Sequence, residues 1–176
     1  MDRPLSLEPF ADQSRYQHLA TVSGGIVVCL VAYFVAVFLV YSDLTILANE
    51  TAITPQRVGG LVGGLAVWGY YALAFIRGYG SPVLNSTLYP LLTTLVAPFP
   101  ARWILFGPDL TGLRSRFVGL WVVEPLITAV IVIMPSVGLY VTILTIWAWL
   151  LDDESREQWE QTKLTPAFYE AFVESD

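Results

Sequence analysis

Residues 21–41, TVSGGIVVCLVAYFVAVFLVY, contain no charged side chain. As an α-helix this run measures about 31 Å, which matches a bilayer hydrocarbon core of roughly 30 Å. A water-soluble fold would need a polar face somewhere along it. A bilayer needs none. The run is also too long for the apolar core of a secretory signal, so it predicts an uncleaved first helix. A second run, VGGLVGGLAVWGYYALAFI at 58–76, ends at Arg77 and the glycine-containing GYGSP. The charges crowd into 1–20, 102–116 and 152–176, and only 14% of residues are charged, against about 25% in an average soluble domain.

These features predict an all-α, polytopic membrane bundle of four to five membrane segments, with the lipid bilayer as its first partner. The expected location is the cell membrane, multi-pass. The domain division that follows is a polar N-terminal segment (1–20), a transmembrane helical domain (21–151) and an acidic cytoplasmic tail (152–176).

Two stretches leave the number of crossings open. The third segment, within 83–101, carries Pro90, Pro98 and Pro100, and its densest apolar part, Leu88 to Phe99, is short. Apolar stretches of about 10–14 residues are more often re-entrant or interfacial than spanning. The run 117–151 has the opposite problem, since one straight helix would measure about 52 Å. Its PSVG at 135–138 offers a break, which predicts a helical hairpin of two short arms. A single kinked helix starting at Pro125 is the alternative, because proline suits a first helical position.

Orientation follows lysine and arginine. If the third segment re-enters, only Arg57 lies outside. If it spans, the N-terminus and Arg77 are outside and Arg57 is inside. Both topologies put the arginine loop (102–116) and the tail in the cytoplasm. Sequons at Asn49 and Asn85 fall outside in one topology each.

GGLVGG places Gly59 and Gly63 on one helix face, and Gly60 and Gly64 on another. Small residues there let backbones approach closely, which drives association in lipid. The first helix offers a small-residue stripe of Gly25, Cys29, Ala32 and Ala36. The pairing predicts packing of the first two helices, and the same faces would suit a homo-oligomer. Arg102 beside Trp103, and Trp147 with Trp149, are candidate interfacial anchors.

Glu124 is the one carboxylate inside the apolar run 117–134. Three readings compete: a cap on a helix beginning at Pro125, favoured by the backbone dipole; a partner of Arg102, Arg114 or Arg116; and a proton- or cation-binding carboxylate facing a cavity. The first is expected. GPDLTG at 107–112 reads as a turn.

Catalytic chemistry is poorly supplied. One histidine, His18, and one cysteine, Cys29, leave no His- or thiolate-based metal centre. No nucleotide-binding glycine motif is present, so no cofactor is expected. A net charge of -6 argues against nucleic acid, and the acidic, lysine-poor balance resembles proteins adapted to high salt. The tail is expected to be helical in two pieces, with Thr165 and Pro166 opening the second, and to be available to a protein partner. The function expected is a non-catalytic accessory, scaffold or assembly component. The alternative is a small transporter or channel subunit using Glu124.

Overall fold

The computed structural model describes residues 5–48, 53–97, 100–101, 103–104 and 123–174. Among these the regular structure is helical, with no strand. The helices are α1 (Arg15–Tyr41), α2 (Ile53–Ile76), α3 (Tyr89–Val96), α4 (Glu124–Leu150), α5 (Asp153–Lys163) and α6 (Pro166–Phe172). Three are long and apolar enough to cross a membrane: α1, α2, and α4 from Leu126 onward.

The first two helices begin earlier than their apolar runs. Ser14 and Gln17 form a reciprocal capping box that starts α1 at Arg15, so six further residues precede Thr21. The Ser-x-x-Gln pattern is the readable signal for that start. In α2 the helix takes in Pro55, which a first turn tolerates because its missing N–H has no intrahelical acceptor there. Hydropathy marks where a helix can meet lipid; capping marks where it begins.

The first two helices run antiparallel. Gly24 lies under the Tyr70 hydroxyl, and Gly59 lies against Tyr33 and Val37. A β-carbon on Gly59 would come 2.8 Å from the Tyr33 ring, and one on Gly63 would come 3.0 Å from the Cys29 carbonyl. The glycines thus set the backbone separation. Tyr70 and Tyr71 donate to the carbonyls of Thr21 and Val22, at 2.9 and 3.3 Å. The seam on α1 is Thr21, Gly25, Cys29, Ala36 and Val37, all buried. Ala32 is only half-buried, and the large ring of Tyr33 occupies the glycine surface in its place.

The other glycine face meets α4. A β-carbon on Gly60 would come 2.7 Å from Thr128, and one on Gly64 would overlap Val132. Trp68 packs edge-on against Tyr140, with centroids 5.9 Å apart. Residue numbers rise together along this contact, so α2 and α4 are parallel. The chain between them must therefore return from one end of α2 to the other.

The third segment makes that return. It leaves the Gly78–Ser81 turn and is helical from 82 to 96. It passes Tyr71 at Thr93 (3.4 Å) and Trp68 at Thr94 (3.0 Å). Ala97 and Ala101 reach the level of Gly60–Gly64. The described part of this segment runs alongside α2 and does not turn back beside it. A π-helical turn at Leu84–Leu88 precedes Pro90. Its wider ring relieves the clash that proline makes with the carbonyl four residues before it.

The hairpin expected at 135–138 does not form. One helix of 27 residues begins at Glu124 and continues through Pro135. Starting at Glu124 removes the length problem, since 27 residues rise about 40 Å. Proline inside the helix leaves one carbonyl without its donor, whereas a break would free several. In lipid the continuous helix costs less. The consequence for topology is large. The first described residues after the 105–122 stretch and the tail lie at opposite ends of α4, so the hairpin no longer supports placing the arginine loop and the tail on one side.

Candidate functional site: an interior cavity and a docked tail

At the Gly60 end of the bundle is a cavity of about 50 Å³ between α1, α2, the third segment and α4. Its floor is Gly60, Gly63 and Gly64, and its polar lining comes from Gln56, Thr94 and Thr128. Thr94 accepts from the Trp68 indole at 3.0 Å and donates to the Pro90 carbonyl at 2.8 Å.

Glu124 is the first residue of α4, one turn before Thr128, with Pro125 directly after it. Its side chain lies outside the described residues, as do Arg102, the sequon at Asn49 and the 107–112 turn. The residue itself opens α4, and a helix N-terminus is where the backbone dipole favours negative charge.

The opposite end carries the second feature. The turn after α2 is a Schellman motif: Gly78 N–H bonds the Phe75 carbonyl at 2.9 Å, and Tyr79 N–H bonds that of Ala74 at 2.8 Å. Gly78 has φ +70°, which glycine adopts without strain. The N-terminal segment grips this turn. Phe10 N–H donates to Gly80, Ser81 Oγ donates to the Ser6 carbonyl, and Gly80 N–H donates to Gln13. Asn85 is fully buried and accepts from Ser81 N–H at 3.3 Å while donating to the Tyr79 carbonyl. A glycan on Asn85 is incompatible with that position.

The tail docks onto the same surface. Trp159 donates to the Ile76 carbonyl at 2.7 Å and stacks on Phe75. Phe10 and Trp147 meet its ring edge-on, at 6.1 and 5.1 Å. Ala11 N–H donates to Lys163, and Thr165 Oγ1 donates to Glu8 at 2.9 Å. Thr165 also caps α6. Of the tryptophans singled out as anchors, Trp147 faces this cluster, whereas Trp103 and Trp149 are 61% and 83% exposed.

The sequence reading missed this dock and the polar lining of the cavity. Phe10, Phe75 and Trp159 are too far apart in the chain for any local pattern to join them. Thr128, Ser136 and Tyr140 follow Glu124 at multiples of four, a readable signal that the expected break at 135–138 concealed. Among the described residues no group of histidine, cysteine and carboxylates could hold a metal. Compared with known families, curated proteins and solved structures, the chain matches none.

Proposed function

We propose that this is a non-catalytic integral membrane protein, an accessory or assembly component that carries a folded acidic platform on one side of the bilayer. The observation behind this reading is the docking of the tail. An acidic helix held by Trp159 against Ile76 and Phe75 is pre-ordered, and a pre-ordered surface loses less entropy on binding a partner. Asp153, Glu154 and Glu157 are exposed on α5, so the partner surface is basic.

In this reading the chain crosses the bilayer four times, with the third segment as one crossing and both termini on one side. That side holds Arg3, Arg15, Arg77, Arg156 and Lys163, against Arg57, Arg102, Arg114 and Arg116 on the other. The positive-inside rule then assigns the termini to the cytoplasm by a margin of one. The test is co-purification from native membranes with the wild-type chain and with a variant carrying lysine at 153, 154 and 157. A partner retained by the first and lost by the second is expected. Equal recovery of the same proteins by both sinks the platform reading.

The cavity favours a second reading, a small transporter or channel subunit in which Glu124 handles a proton or cation. Its support is the position of Glu124 one turn before the cavity-lining Thr128. A pH-driven flux in proteoliposomes that disappears with Glu124→Gln would move this reading ahead of the first.

A further inference from the structure

We infer that the seam between α2 and α4 is a hydrated site, in which the hydroxyls of Ser136 and Tyr140 share bound water continuous with the cavity at the Glu124 end. Ser136 is fully buried and Tyr140 is 4% exposed, yet neither hydroxyl has a hydrogen-bond partner. Buried polar groups are hydrogen-bonded in native proteins, to protein or to ordered water. The chain itself shows what the alternative would look like. Thr21, Thr94 and Thr142 each donate to the carbonyl four residues before them, at 2.9, 2.8 and 2.7 Å. Ser136 has the Val132 carbonyl at the same spacing and does not use it. Tyr70 and Tyr71 donate to α1 carbonyls, and Tyr140 finds none. Among the described residues neither hydroxyl therefore has a partner.

The two lie one turn apart on α4, opposite Gly64 and Trp68, which are one turn apart on α2. Ser136 Oγ lies 3.4 Å from where a β-carbon on Gly64 would stand, and Gly64 is part of the cavity floor. Helical side chains lean toward the N-terminus, which carries the Tyr140 hydroxyl toward the level of Ser136. Along the same face Thr128 and Glu124 continue the four-residue spacing, with Val132 as the one apolar member. The cavity, which Gly64 and Thr128 line and Ser136 and Tyr140 do not, has about 50 Å³, more than the roughly 10–15 Å³ a single water needs, and it is the reservoir from which water would reach the two hydroxyls. The ligand is water, since hydroxyls alone leave a cation's charge unbalanced and no metal-holding group occurs among the described residues. Such a track gives the Glu124 end a hydrated half-path that stops at the Trp68–Tyr140 pair. It does not depend on the platform reading.

The experiment is a double-mutant cycle in the purified full chain with Ser136→Ala and Tyr140→Phe, read as thermal midpoints. Shared water predicts that each change lowers the midpoint, and that the double variant loses less than the two single losses combined. A dry, unsatisfied site predicts the opposite sign, because each change then removes a buried unpaired group. Tyr140→Phe also isolates the Tyr140 phenol in a Raman difference spectrum, which is expected to report a hydrogen-bonded hydroxyl sensitive to D2O. Higher midpoints, purely additive losses or an isolated-phenol signature would each overturn the inference.

Discussion

The indole N–H of Trp159 donates to the carbonyl of Ile76 across 2.7 Å, joining the tail to the last turn of α2. That carbonyl is among those a helix C-terminus leaves without an intrahelical donor, so the bond satisfies both partners. Trp159→Phe keeps the stacking and removes the bond. It should cost about 1 kcal/mol. Trp159→Ala removes the ring as well and should cost more, up to about 3 kcal/mol for a half-buried position. Limited proteolysis should then cut after residue 151 while the bundle stays intact. Cleavage at the wild-type rate would show that the tail is held by something else.

Glycine positions should separate by sign. Gly64→Ala drives a methyl into Val132 and should destabilise by about 1–3 kcal/mol, the usual range for overpacking. Gly138 has nothing within 4 Å of its would-be β-carbon. Gly138→Ala should therefore stabilise by about 0.5–1 kcal/mol through helix propensity. Thermal melts in one detergent compare them directly, and equal effects would mean that α2 and α4 do not pack as described.

Both termini should label from the same side. Cysteines placed singly at Ser6 and Ser175, with Cys29 replaced, should give the same response to an impermeant thiol reagent in intact cells, and both should resist it if they are cytoplasmic. Opposite responses would refute the return of the chain through the third segment.

Asp152 caps α5 by accepting from Ser155 N–H at 2.8 Å, and hydrogen bonding from Ser155 holds its carboxyl below the ordinary value of 3.8. Because the folded value is the lower one, its contribution is present above pH 3.8 and fades as pH falls through the folded value. Amide exchange in the first turn of α5 should quicken below that pH. Asp152→Asn should keep the cap and lose the pH dependence; an unchanged acid response in that variant would assign it to another group.

Glu124→Gln should fold and stay within about 1 kcal/mol of the wild type, the scale of a charge at a helix terminus. A loss of about 3–5 kcal/mol would instead mean that a buried arginine had lost its partner.

The sequence by itself determined the class of fold and marked helices long and apolar enough to cross a membrane. Runs such as 21–41, with charges confined between and beyond them, satisfy their backbone in lipid only as helices. It also marked the glycine faces of α2, because four-residue spacing is a local property of the chain. The tertiary structure decided the path. Whether Pro135 breaks a helix depends on whether its surroundings make a free carbonyl cheaper than a turn. Whether the third segment turns back or runs the length of α2 depends on the parallel pairing of α2 with α4. The meeting of Phe10, Phe75 and Trp159, and the burial of the Ser136 and Tyr140 hydroxyls, are contacts between distant parts of the chain. Such contacts form only when the packing of all the helices brings them together, so no local pattern in the sequence encodes them.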